Sequence, residues 1–367
     1  MRLLFTLDYE IHGNGDGNPL ALMVEPTYRL MTLLEEYHQH LVIMADVAEI
    51  LCFRRYWQET GRDDFHVQEI ETQLQDALRR GHDVQLHIHS SYFRAKWDGK
   101  RFDQCIEDYN MAALPYERID TMVGECVAYL ETLLRPVRAD YKVWLFRAAN
   151  WSMHPTPNIY RALVKHGITH DTSVYKGGCQ GGNVCYDYRL AHDNLLPYTA
   201  SAEDINVFDP MGKIKEMPIY TEMRPFYDFI SPIRIFRMVR AKLHKHKHAS
   251  GEVGGSHGDT ETTKTTSITQ TTQTTLTTQT TSITQTAVNK ADNRRLSLRS
   301  FFVKSPLKMD FNQLRSRQLI GMMQHIERRV GKEADVPVVL IGHSKTFIPY
   351  NEKTLRPFLE WVAKNNI

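Results

Sequence analysis

Cysteine is scarce in this chain: five residues in 367, an odd number, with no CxxC pair. That argues against a disulfide framework and against paired-thiolate zinc sites. Cys52, Cys105, Cys126, Cys179 and Cys185 are read as reduced thiols in a reducing compartment. No run of about 18 apolar residues occurs, so no transmembrane segment is expected. No secretory leader is legible either, because Met1-Arg2 leads straight into strand-forming residues and Asp8 arrives before an apolar h-region can form. The expected location is cytoplasmic, with room for peripheral membrane contact. Excess charge of one sign is also missing. Lys and Arg number 45 against 43 Asp and Glu, and a net charge of +2 gives no whole-chain argument for nucleic acid. The chain has no GxGxxG or phosphate-loop pattern, and its one GxSxG, Gly254 to Gly258, sits in a small polar stretch with no apolar strand run before it, so nucleotide-binding and serine-hydrolase readings lack their motifs in context.

Apolar residues make up 42% of the chain, ample for a large core. Apolar runs with strand character alternate with helical patterns, which predicts an α/β fold with a parallel sheet or barrel. Strands are expected over Leu3 to Asp8, Leu41 to Asp46, Asp83 to His89, Lys142 to Arg147, Ile168 to Val174, Ile214 to Ile219 and Val336 to His343. Helices are expected over Glu25 to His38, Phe65 to Arg80, Tyr116 to Leu134, Pro157 to His166, Phe311 to Val330 and Leu355 to Asn365. Polar residues stand where the apolar strands stop: Asp8, Asp46, His87, His89, Arg147, Asp171 and His343. In barrel enzymes those C-terminal strand ends build the active site.

The most informative run is Val84-Gln85-Leu86-His87-Ile88-His89. Residues two apart on a strand share a face, so both imidazoles should project together as half of a divalent-metal site. A carboxylate from a neighbouring strand would complete it, and the first strand ends on Asp8-Tyr9-Glu10.

Two segments stand apart. Residues 249–300 include a Thr/Gln tract in which Thr-Thr-Ser-Ile-Thr-Gln-Thr begins at both Thr265 and Thr280. It has too little apolar surface to offset ordering entropy, so it is expected to be a disordered insert within one domain formed by residues 1–248 and 301–367. Before it, Ser231-Pro232 opens a helical pattern carrying Arg234, Arg237 and Arg240, ending in His244, His246 and His248 among lysines. A solvated basic face is the simpler reading, and docking on anionic lipid or a phosphate-bearing substrate is the other.

Taken in order, five segments resemble the motifs of the polysaccharide deacetylase family, the NodB-homology domain of carbohydrate esterase family four. They are Thr6-Leu7-Asp8-Tyr9-Glu10, Gly81 through His89, Phe146-Arg147-Ala148-Ala149-Asn150-Trp151, Asp171-Thr172-Ser173-Val174-Tyr175, and Leu340-Ile341-Gly342-His343. The resemblance spans nearly the whole chain outside the insert. It implies a distorted (β/α)7 barrel and a metal-dependent hydrolase that removes an N-acyl group, N-acetyl first, from a sugar or glycan precursor.

The resemblance further implies Asp8 as general base, Arg147 as the cation that holds it ionised, His343 as general acid and Asp171 as the carboxylate that orients His343. It implies one divalent ion, Zn first with Co, Ni or Mn as alternatives. Two departures fall on the ligands. Tyr9 stands where the family has a second aspartate, so Glu10 is the expected third ligand beside His87 and His89, with Asp46 in reserve. The histidines are two apart rather than four, and Ser91 holds the fourth place after His87. Trp151 and Tyr175 are candidates to stack on a sugar ring, with core packing as the equal alternative, and Ser344 and Lys345 extend the His343 loop toward substrate. The substrate is expected to be phosphate- or lipid-linked if the basic helix takes part. A deformylase-like amide hydrolase and a non-catalytic carbohydrate-binding scaffold remain as alternatives.

Overall fold

A computed structural model describes residues 1–225, 228 and 303–367. The chain divides into two compact units, Met1–Met223 with Pro306–Ile367, and Arg224–Ser305. In the second, Arg224 Nη1 lies 3.9 Å from Asp228 Oδ2. The Ser231–His248 basic stretch and the 249–300 insert lie outside the described residues. The first unit carries the sheet and the candidate site.

Its strands are β1 (Arg2–Tyr9), β2 (Leu41–Asp46), β3 (Asp83–Ile88), β4 (Leu145–Ala148), β5 (His170–Asp171), β6 (Tyr198–Ala200), β7 (Ile214–Glu216) and β8 (Pro337–His343). They form one eight-stranded sheet in the order β6-β7-β5-β4-β3-β2-β1-β8, parallel throughout except for the β6–β7 pair. The helices are α1 (Glu25–Glu35), α2 (Val47–Thr60), α3 (Val67–Arg79), α4 (Tyr116–Leu134), α5 (Thr156–Lys165), α6 (Ser316–Val330) and α7 (Pro349–Lys364). Strands covered by helices on crossovers are buried on both faces, which is why β1 and β8 read as almost unbroken apolar runs.

The sheet curls into a distorted barrel, and irregular chain rather than strand closes it. Met217 N donates to Asp171 O (2.8 Å) and Ile219 N to Val174 O (2.9 Å), while the next amide, Tyr220 N, donates to Val339 O (3.2 Å). A second segment follows: Met309 N donates to Tyr220 O (2.8 Å), Ile341 N to Met309 O (3.0 Å) and Phe311 N to Ile341 O (2.9 Å). Gly342 permits this crossing, since a Cβ there would lie 2.2 Å from Asn312 Oδ1 and 2.3 Å from the Phe311 ring.

The expected elements are found with shifted ends. Lys142, Val143 and Trp144 are not in a strand: Val143 N donates to Glu131 Oε1 (3.4 Å) and Trp144 N to Gln85 Oε1 (3.0 Å), so side chains take the amides a ladder would use. The expected Ile168 to Val174 strand is reduced to His170–Asp171. Phe311 belongs to the closing segment, and the helix begins at Ser316. Helix α2 was not anticipated. Asp46 ends β2 and also caps α2, its Oδ1 accepting from Glu49 N (3.4 Å), so strand passes to helix with no loop to mark it. Gly61 at φ 72° terminates it in the left-handed conformation.

Candidate active site

Parallel register sets the site. Asp46 pairs with His87 across β2–β3, and His87 with Arg147 across β3–β4, so the three side chains leave the same face at the C-terminal strand ends. Asp8 pairs with His343 across β1–β8.

His87 Nδ1 lies 2.9 Å from Arg147 O. A carbonyl oxygen only accepts, so Nδ1 carries a proton and Nε2 is left to face the site. Glu10 Oε2 meets both rings, at 2.8 Å from His89 Nε2 and 3.6 Å from His87 Nε2. His89 is held through its backbone, whose N–H donates to Asp46 Oδ1 (3.0 Å). The donor atoms of Glu10, His87 and His89 all lie within 4.8 Å of one another, and all three residues are buried. Glu10's other oxygen accepts from Lys345 Nζ at 2.7 Å.

These residues fit a divalent ion. Two ring nitrogens and one carboxylate oxygen converge, the donor set of many catalytic metal centres. The charges agree with that. Four buried carboxylates, Asp8, Glu10, Asp46 and Glu49, face two permanent cations, Arg147 and Lys345. Protons make up the difference when no ion is bound. Burial pushes His87 down, but its hydrogen bond to Glu10 and the charges of Asp8, Glu10 and Asp46 lift it to about 9. Burial, reinforced by Asp46 and Glu10, drives Glu49 well above the carboxylate range. Burial also raises Asp46, despite both histidines. Asp46 Oδ2 is buried and has no hydrogen-bond partner among the described residues.

Beside the donors stands a carboxylate–histidine pair. Asp8 Oδ1 receives Arg147 Nη1 at 2.7 Å, and Asp8 Oδ2 lies 3.5 Å from His343 Nε2. Arg147 is fully buried; its Nε donates to Thr172 O (3.0 Å) and its Nη2 to Thr6 Oγ1 (2.8 Å). Burial pushes the Asp8 carboxyl up, but Arg147, His343 and His87 outweigh it and leave the pKa below the usual value. Burial lowers His343, with Asp8 only partly restoring it, so its resting form is neutral.

Several expected site residues meet other partners. Asp171 does not orient His343. Its oxygens accept from Ser173 N (2.9 Å) and Ser173 Oγ (2.8 Å), and Asp8 is the carboxylate beside the histidine. Trp151 and Tyr175, expected either to stack on a sugar or to pack in the core, carry a cation over their rings. Lys308 Nζ sits 4.1 Å from the Trp151 ring centre and 4.3 Å from that of Tyr175, and Arg147 Cζ is 5.7 Å from the Trp151 ring. Cations over aromatic faces are held there by the ring quadrupole. Tyr175 is also only 4% exposed, its hydroxyl paired with Tyr186 at 2.6 Å. Lys345, expected to extend toward substrate, reaches Glu10 Oε1. Asn150 (φ 51°) and Trp151 (φ 66°) are two successive left-handed non-glycine residues, a strained arrangement of the kind that gathers at functional sites. Sequence reasoning missed Glu49 and Lys308. The Asp46-Val47-Ala48-Glu49 spacing, a capping pattern, was a usable signal for the first.

No family model matches the chain, and neither does any curated protein. Among solved structures, it is similar to a chain from Mycobacterium smegmatis assigned to the polysaccharide deacetylases (13% identity, TM-score 0.41, covering 99% of this chain and 83% of that one). It is similar to the 4-alpha-glucanotransferase of Thermococcus litoralis (10% identity, TM-score 0.44, covering 99% and 38%). It is also similar to the Puue allantoinase (12% identity, TM-score 0.42, covering 99% and 84%). At these scores the likenesses carry no argument about chemistry, and what the site can do is read from Glu10, His87, His89, Asp8, Arg147 and His343 themselves.

Proposed function

We propose that the chain is a metal-dependent hydrolase that removes an N-acyl group, N-acetyl first, from a sugar or glycan precursor. The observation that carries this reading is Glu10 Oε2 facing both histidine Nε2 atoms, directly beside an Arg147-bound Asp8 paired with His343. His87 Nε2, His89 Nε2 and Glu10 Oε2 would hold the ion, Zn first and Co, Ni or Mn as alternatives. When bound, a divalent ion polarises the acyl carbonyl and makes water more acidic.

The remaining work falls to the side chains. Asp8, kept ionised by Arg147, takes a proton as water adds to the acyl carbon. His343, neutral at rest and 3.5 Å from Asp8, receives that proton and delivers it to the departing nitrogen as the C–N bond breaks. His87 is kept in a single orientation by the Arg147 carbonyl.

A second reading is an amide hydrolase of the same mechanism whose substrate is not a sugar. Lys308 Nζ over the Trp151 and Tyr175 rings favours it, because a sugar ring would have to compete with that cation for the same faces. A phosphate or lipid link on the substrate would need the basic 231–248 stretch, outside the described residues. No described helix is long and apolar enough to cross a membrane.

The test is metal content of the full chain beside a His87→Ala, His89→Ala double variant, followed by acetate release from N-acetylated sugars. About one ion per chain, lost in the double variant, together with acetate release, supports the sugar reading. Metal without acetate release, but with turnover of other N-acyl amides, supports the second. No bound ion in the wild type after loading with each metal sinks both and favours a non-catalytic scaffold.

A further inference from the structure

We propose that Lys345 is a positioning residue that reserves one oxygen of Glu10, so that the carboxylate offers the ion a single oxygen. This rests on the metal-dependent reading of the same site. Lys345 Nζ lies 2.7 Å from Glu10 Oε1 and 3.1 Å from Ile11 O. The other oxygen, Oε2, is the one that faces His89 and His87. The two oxygens are thus divided between a permanent cation and the metal donors.

The division is built into the backbone. Ser344 Oγ lies 3.3 Å from both Glu10 N and Glu10 O, so the turn that carries Lys345 grips the main chain of the residue it controls. That turn, Ser344–Thr346, is itself fixed by Asn312, whose Nδ2 donates to His343 O and Thr346 Oγ1 at 2.8 Å each. The Lys345 side chain is only 14% exposed, so water does not dilute the contact.

The chemistry follows from coordination number. A carboxylate binding through both oxygens fills two positions, and through one oxygen it fills one, which keeps the others open for water and substrate. An ammonium group on the second oxygen enforces the open arrangement. Its positive charge also opposes the ion, weakening binding while leaving the bound metal the stronger Lewis acid. Lys345 therefore exchanges affinity for reactivity.

The experiment titrates Co(II) alone into metal-free full-length wild type, Lys345→Met and Lys345→Arg, reading affinity and the visible absorption that reports coordination number. Lys345→Met is expected to bind Co(II) about tenfold tighter, with weaker absorption as coordination rises, and to release less acyl product. Lys345→Arg is expected to keep the wild-type spectrum. A purely structural lysine would lower affinity and activity together. Unchanged or weaker binding with an unchanged spectrum in Lys345→Met overturns the proposal. If that variant does not fold by near-UV circular dichroism, Lys345→Gln takes its place with the same expected outcomes. A wild type that takes up no Co(II) overturns the metal-dependent reading itself, so the two failures are distinct.

Discussion

Arg147 and Asp8 stand 139 positions apart in sequence and 2.7 Å apart in space, and neither is reached by bulk water. On the proposed function, their pairing joins fold stability to catalysis. Replacing Arg147 with Met leaves Asp8 as a buried charge without its counterion. The expected loss is about 3–5 kcal/mol of stability at neutral pH, recovered in part by Asp8→Asn in the same chain. Urea unfolding of the single and double variants checks it, and simple additivity of the two would contradict the pairing.

Asp46 serves two neighbours with one oxygen, capping helix α2 through Glu49 N and holding the His89 amide. Asp46→Ala should cost about 0.5–2 kcal/mol for the lost cap. It should also weaken metal binding about 10–100-fold, since His89 loses its anchor. Asp46→Asn, which keeps an accepting oxygen, should do less of both. Thermal melts and metal titrations on one preparation would separate these effects, and equal behaviour of Ala and Asn would count against the anchoring role.

Glu216 and Asp171 are neighbouring buried acids. Burial, and then Asp171, raises the Glu216 carboxyl well above its ordinary value, and burial also raises Asp171 despite Glu216 and Ser173. A carboxyl whose folded pKa lies above its unfolded one holds its proton in the folded state. Its contribution to stability is therefore present at low pH and lost as pH rises from the unfolded value, about 4.3, toward the folded one. Glu216→Gln supplies an amide donor to Asp171 without needing a proton. The variant should match wild type near pH 4 and exceed it at pH 7. Parallel stability curves across that range would refute the raised Glu216 pKa.

Gly342 is the point where the closing segment crosses β8. Gly342→Ala places a methyl group against Phe311 and Asn312, and overpacking of this kind costs about 1–3 kcal/mol. Because Asn312 holds the His343 carbonyl, turnover should fall more than the melting temperature implies. A variant with full turnover and a lowered melting temperature would show that the crossing does not position His343.

Much of this was legible in the residues. Helix α4 and strand β2 fall on their expected boundaries because each has a strong period and a clear stop. The convergence of His87 and His89 follows from the two-residue period of a strand, and the Asp8, Arg147 and His343 positions from apolar runs that end on polar groups. What was not legible depended on long-range partners. Gln85 shortens the start of β4 from 59 positions away. The covering of Trp151 by Lys308 and the grip of Lys345 on Glu10 join residues more than 150 and 300 positions apart, with no local pattern to announce either. Asp171 was misread because a strand-end carboxylate looks the same in sequence whether it turns toward a histidine or toward a serine two residues on.

The two sides of the Glu10–Lys345 contact are made at opposite times. Glu10, His87 and His89 leave the ribosome more than 250 residues before His343 and Lys345. During synthesis the donors exist without the lysine that restrains them and without the histidine that completes the chemistry. On the proposed function, the three donors precede their acid and their restraining lysine in synthesis, and the addition of β8 completes the centre.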